Sequence, residues 1–371
     1  MEINRRSFIA GLFGAFAFPS NISWANESDC FLSCNDLYVS ARKSRDGLYS
    51  ASVFSLSQGD IANVALPARG HDSAVHPFKK EVIIFARRPG TFAVALAYDG
   101  GHQPQWFYAT PNRHFYGHGV FSGDGTLLYS TENDFENGIG KIGIRDATNA
   151  YQYLGEFSSY GVGPHDMALL SDGKTLVVAN GGTQTHPETG RQVLNLTTME
   201  PSLCYINALN GDLLERHVLK KELHQLSIRH LTVAKDDTVV FGCQYKGPKI
   251  DLPTLVGFHR RSTNLTFIDT PKHSLQAMKS YVGSVTSDQS GTLIAASCPK
   301  GDVVTFWDLS AKIYLGSKKI QDCCGLARTA KNAKFLITSG SGKVLEGNEN
   351  SITDRTNGSH YLWDNHAVHI G

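Results

Sequence analysis

A small polar turn followed by a short apolar, β-rich run recurs six times along this 371-residue chain. The runs are Lys80-Glu81-Val82-Ile83-Ile84-Phe85, Gly125-Thr126-Leu127-Leu128-Tyr129 and Lys174-Thr175-Leu176-Val177-Val178-Ala179. Asp237-Thr238-Val239-Val240-Phe241, Gly291-Thr292-Leu293-Ile294-Ala295 and Ala333-Lys334-Phe335-Leu336-Ile337 complete the set. Anchored at positions 81, 126, 175, 238, 292 and 334, they fall 42 to 63 residues apart. That is the period of a four-stranded propeller blade. After its polar turn residues each run is apolar without a break, as a strand buried between neighbouring blades must be. The turns Ser122-Gly123-Asp124-Gly125 and Ser171-Asp172-Gly173 supply glycine where a tight hairpin needs positive φ. Lys141–Asp146 and Val303–Asp308 read as strands that follow the anchors. Residues 36–66 supply a further unit, and Tyr361-Leu362-Trp363 is expected to help close the ring. The expected fold is all-β, a β-propeller of seven four-stranded blades; six or eight blades also fit the spacing. Residues 346–360 are polar and look like an insertion that blurs the last strand.

Residues 1–25 read as a twin-arginine export signal, leaving 26–371 as a single β-propeller domain. Asn4-Arg5-Arg6-Ser7-Phe8-Ile9 carries the paired arginines. An apolar stretch too short to span a bilayer follows, and Ser23-Trp24-Ala25 is a small-x-small cleavage site. The expected location is the periplasm, with no integral membrane segment. The chain has 35 basic and 34 acidic residues, and removal of Glu2, Arg5 and Arg6 leaves it neutral. A neutral chain gives no electrostatic case for binding nucleic acid. Seven cysteines are an odd number, so at least one stays out of any intramolecular disulfide. Cys30 and Cys34 are close enough in sequence to pair. No Cys-x-x-Cys-His motif is present, so a covalent c-type haem is not expected.

Four histidines, His71, His118, His165 and His230, stand six to ten residues ahead of successive anchors. A residue just before the innermost strand of a blade points into the mouth of the central channel. The four occupy that place in four consecutive blades, with Gly283 and Cys324 at similar points in the next two. Imidazoles beside a thiolate suit copper, iron or zinc better than a hard cation. Asp72 and Asp166, which follow two of the histidines, are candidates to orient the rings. A histidine that ties the strands of its own blade together predicts the same spacing. Convergence of the rings, not their periodicity, separates the two readings. Arg113, Arg145 and Arg229 are candidates to grip an anion, and blade packing explains them equally. Glu132 is either a turn carboxylate or a ligand. His186 lies on a polar insertion, Gly181–Ser202, where it is either a binding residue that gates the channel or a solvated turn residue. Vicinal Cys323 and Cys324 suit a redox pair, a soft-metal site or two buried thiols. Gly138-Ile139-Gly140-Lys141-Ile142-Gly143 has dinucleotide-loop spacing but leads into a strand, not a helix, and is set aside.

Several long motifs carry a family resemblance. They are Arg113-His114-Phe115-Tyr116-Gly117-His118-Gly119, Gly163-Pro164-His165-Asp166, Val178-Ala179-Asn180-Gly181-Gly182 and Leu226-Ser227-Ile228-Arg229-His230-Leu231. With Phe241-Gly242-Cys243-Gln244-Tyr245 they resemble the family called domain of unknown function 1513, over roughly residues 36–345. Cys323 departs from the family pattern, whereas Cys324 matches it. The resemblance implies an exported bacterial propeller of the quinoprotein or YVTN type. It also implies, as partners, an imelysin-like lipoprotein or a di-haem oxidoreductase, and a role in iron or copper handling. The expected function is therefore binding of a transition metal, or of a metal-bearing ligand or partner, at the channel mouth. The alternatives are an oxidoreductase with a redox cofactor in the channel and a non-catalytic docking scaffold.

Overall fold

The computed structural model describes residues 37–356 and 361–371, so the expected export signal and the expected Cys30–Cys34 pair lie outside the described residues. Seven antiparallel sheets form a seven-bladed propeller. Each of the six apolar runs lies in the second strand of its blade, as in Glu81–Ala86, where every residue is buried. The innermost strands are Gly70–Val75, Arg113–Phe121, Pro164–Leu169, Leu226–Val233, Ser284–Ser287 and Cys323–Arg328. Apolar faces of neighbouring blades pack directly: Val39 and Val53 of the first meet Ile84 and Val94 of the second. Among the described residues the one α-helix is Lys272–Met278, between the fifth and sixth blades.

The seventh innermost position is filled from the other end of the chain. Tyr361–Trp363 and Val368–His369 pair with Leu37–Ser44, in register Arg42 to Trp363 and Tyr38 to His369. The first blade is thus made of both chain ends, and no blade edge is left open at the seam. Trp363 packs on Phe54 with ring centroids 4.7 Å apart. The polar stretch expected as an insertion supplies instead the outer strands of the seventh blade. Val344–Gly347 and Ile352–Asp354 pair across a turn that Asn348 stabilises by accepting from Asn350 N and Ser351 N. Its polarity fits the outermost, half-solvated position in a blade.

The register of the innermost strands is what aims side chains at the axis. Pairing with the second strand breaks between Gly70 and Ser73, Phe115 and Gly119, Pro164 and Asp166, Ile228 and His230, and Cys323 and Leu326. A bulge of this kind leaves a residue out of the ladder and re-aims its side chain. Closure of the ring depends on the C-terminal strand. Trp363→Ala should therefore cost about 3–5 kcal/mol of unfolding free energy in urea denaturation. An unchanged midpoint would mean that the seam bears no load.

Candidate metal centre

His71, His118, His165 and His230 lie at those register breaks, within the innermost strands and not ahead of them. The anchors mark second strands, so the histidines sit one strand further in than their spacing suggested. They are 1–7% exposed and form a plug inside the channel instead of a ring at its mouth. A fifth ring joins them. His366, on the chain segment between the two C-terminal closing strands, lies 4.6 Å from His71 and 4.8 Å from both His118 and His230, centroid to centroid. His165 lies 4.6 Å from His230 and 4.9 Å from His118. Ring nitrogens of His71, His118 and His366 fall within 4.8 Å of one another, as do those of His118, His165 and His230. His118 belongs to both triads and is the centre of the cluster.

The approach needs space that a side chain would fill. Gly117 has φ +104°, and a Cβ there would come within 2.5 Å of the His71 ring. Only glycine meets both demands without strain.

Asp72 and Asp166 both turn to His118, across blades, although each follows a different histidine in sequence. His118 Nδ1 donates to Asp72 Oδ2 at 2.8 Å, and Asp166 Oδ1 lies 3.3 Å away. Asp166 is itself fixed by backbone amides of Met167 and Leu231. Burial pushes His118 down, but Asp166 and Asp72 outweigh it and carry the ring up to about 10. The other four move the opposite way. Burial, followed by the other rings, holds His71, His165 and His230 well below the ordinary histidine value. Burial takes His366 to about 4 despite Asp72. These four are neutral at pH 7, with a lone pair on one nitrogen each.

The decisive observation concerns the ring nitrogens that have no partner. His71 Nδ1, His118 Nε2, His165 Nδ1, His230 Nδ1 and His366 Nε2 are buried and have no hydrogen-bond partner among the described residues. A histidine that ties its own blade together looks different here. His76 Nδ1 accepts from both Phe78 N and Lys79 N at its hairpin turn. The five axial rings do nothing of the kind. The nitrogen set fits a transition metal, with Asp72 and Asp166 orienting His118 as carboxylates orient ligand histidines in general.

The remaining candidates lie elsewhere. Cys324 occupies the register break of the seventh blade, but its thiol faces Asp322 Oδ1 at 3.4 Å and is outside both histidine triads. Burial raises both it and Cys323, whose thiol donates to Val303 O, so neither is a ready thiolate. Glu132 is neither in a turn nor on the axis. It is fully buried in Leu127–Asp134 and accepts from Arg145 Nη1 at 2.7 Å and Ser130 Oγ at 2.8 Å. Arg113 is held by Asp134 at 2.9 Å and by Glu156. His186 caps a turn of the insertion and packs on Phe135. Arg229 is buried beside the cluster, with Nη2 donating to Thr183 Oγ1. His366 escaped the sequence pattern because the C-terminal segment has no apolar anchor after it.

The chain belongs to the family described as Protein of unknown function (DUF1513), whose model matches residues 64–370. No curated protein matches its sequence. Among solved structures it is similar to a chain of Kuenenia stuttgartiensis hydrazine synthase, at 14% identity and a TM-score of 0.60. That match covers 90% of this chain and 98% of the other, and at such identity it speaks for the shared fold alone.

Glu132 and Arg145 serve the third blade, not the axis. Removing one partner strands a buried charge, so Glu132→Ala should cost about 3–5 kcal/mol in chemical denaturation. A loss below 1 kcal/mol would contradict the structural role assigned to the pair.

Proposed function

We propose that the axial imidazoles hold a transition-metal ion, iron or copper, and that the protein serves metal handling or redox chemistry in the periplasm. The observation that carries this reading is the set of five buried ring nitrogens without hydrogen-bond partners, of which only His71 Nδ1 has a carboxylate near it, Asp364 Oδ1 at 3.7 Å. Burying a hydrogen-bonding group unpaired costs about 1–3 kcal/mol each, and a metal ion is one group that accepts several lone pairs at a point. His71, His118, His165, His230 and His366 would supply the donors, in the two overlapping triads that share His118. Asp72 and Asp166 would keep the His118 Nδ1 proton, and the ion would displace the proton that His118 carries on Nε2 at pH 7. Imidazole donors without carboxylates suit iron, copper or zinc over calcium or magnesium. Such an ion would supply Lewis acidity and, for iron or copper, one-electron chemistry.

Protein isolated from the periplasm should carry metal in whole-number stoichiometry by elemental analysis. His118→Ala and His165→Ala should each lose it while keeping the far-ultraviolet circular dichroism of the parent. Protein that stays metal-free and gains no thermal stability from iron, copper or zinc would overturn the reading. Free ion at about 100 times its Kd should add about 2.7 kcal/mol.

Asp72→Asn and Asp166→Asn should each weaken metal affinity by about 10- to 100-fold in competition with a chromophoric chelator. Unchanged affinity would place both carboxylates outside the metal's influence. A visible absorption band that bleaches on reduction would favour the oxidoreductase form of this proposal over simple metal carriage.

A further inference from the structure

The histidine plug divides the channel into two unlike openings. On one side Asp72 and Asp166 line the wall with serines, threonines, aliphatic side chains and one arginine, Arg328. On the other side a cavity of about 220 Å³ opens over His71, His165 and His230. Six cationic side chains line it, Arg87, Arg88, Arg191, Arg229, Lys246 and Lys300, and no carboxylate does.

The cations share an origin in the fold. Arg87 and Arg88 follow the second strand of the second blade, Glu81–Ala86. Lys246 follows Val239–Tyr245 in the fifth, and Lys300 follows Leu293–Cys298 in the sixth. Arg191 comes from the insertion that follows Thr175–Asn180 in the fourth. All these segments emerge on one face of the propeller, where second strands end. The same insertion supplies Thr183 and Thr185, which accept from Arg229 Nη2 at 3.1 Å and Arg88 Nη1 at 3.3 Å.

Little in the protein neutralises this charge. Among the described residues, Arg87 alone of the six reaches a carboxylate, Asp364, at 3.5 Å, and Asp364 already pairs with Arg69. Lys246 donates only to the neutral Gln244 side chain, and Lys300 sits over the Tyr281 ring. Arg229 is the strongest sign. It is 2% exposed, yet its Nε and Nη1 have no hydrogen-bond acceptor among the described residues. A buried guanidinium with its fork half unused is costly unless something outside the chain completes it. Burial, then repulsion from Arg229 and Lys300, pushes Lys246 down to about 6, as expected of amines crowded without counter-charge, so a bound anion would draw a proton onto it.

We propose that this opening is a binding site for a small multivalent oxyanion, a carboxylate or phosphate compound, gripped by Arg88, Arg229 and Lys246 above the histidine plug. Planar guanidinium forks match the oxygen pairs of such groups, and the low dielectric of the recess strengthens the contact. The cavity is smaller than the roughly 300–1,000 Å³ of drug-sized sites, which favours a compact anion over a polymer or a folded partner. The proposal stands on the arginine geometry and not on the metal reading.

The test is isothermal titration calorimetry at low ionic strength on the full chain stripped of metal, with citrate and inorganic phosphate as separate probes. Saturable one-to-one binding of at least one probe is expected, and the arm that binds more tightly identifies the oxyanion class. Arg88→Gln and Lys246→Gln should each weaken it by about 10- to 100-fold, the loss of one charged hydrogen bond. Arg229→Gln should do the same; because it is buried, the two half-buried variants carry the test if it fails to fold. Lys174→Gln, exposed at a first-hairpin turn on the opposite face, should bind like the parent. Absence of saturable binding for both probes, or equal binding by Arg88→Gln, Lys246→Gln and the parent, would overturn the proposal. Because the protein is metal-free throughout, these outcomes do not depend on whether the imidazoles bind an ion.

Discussion

A buried polar atom that finds no partner destabilises the fold that buries it, and five such nitrogens meet on the axis of this propeller. Elsewhere many buried polar groups are matched at least in part: Glu132 Oε1 has Arg145 and Ser130, His76 Nδ1 has two backbone amides, and Asp166 accepts from Met167 N and Leu231 N. Single unmatched atoms occur off the axis, Glu132 Oε2 and His76 Nε2 among them, but on the axis five ring nitrogens are left unmatched together. A native protein tolerates that where function asks for it, so the axial histidines are best understood as donors awaiting an acceptor.

The blade geometry explains how the donors are delivered. Each innermost strand that bears a histidine slips out of register with its neighbour; the slip leaves His71, His118 and His165 out of the ladder, and in the fifth blade it leaves out Arg229, next to the paired His230. Gly117 clears the path for His71. The carboxylates that steady His118 come from the blades on either side, so its position depends on three blades being assembled at once. The closing segment that completes the first blade also brings His366, which ties the site to ring closure.

Much of this was legible in the chain because it rests on local pattern. Fully apolar runs such as Val82-Ile83-Ile84-Phe85 announce buried strands, and their period announces blades. The histidines were visible because they recur in phase with those runs. Their depth was not, since spacing alone does not say whether a residue precedes a strand or sits at a bulge within the preceding one. Cys324 shows the same limit: it holds the equivalent bulge, but Asp322 two residues earlier draws its thiol away. Glu132 resembled a turn residue because Thr-Glu-Asn-Asp is turn-like in composition, yet its partner Arg145 keeps it in a strand. His366 and the cationic opening come from separate segments that only the closed ring brings together, and no local pattern marks them.

The channel is polarised, with Asp72 and Asp166 beside a single arginine, Arg328, on one side of the imidazole plug and six cations with no carboxylate on the other. Such an arrangement would hold a cation at the plug and favour anions approaching from one opening only. The direct measurement is anomalous X-ray diffraction at the absorption edge of the metal retained by the purified protein. The account predicts one peak on the propeller axis, about 2.0–2.2 Å from nitrogens of His118 and at least two of the other four histidines. A peak bound elsewhere, or an axis with no anomalous scatterer in protein saturated with iron, copper or zinc, would contradict it.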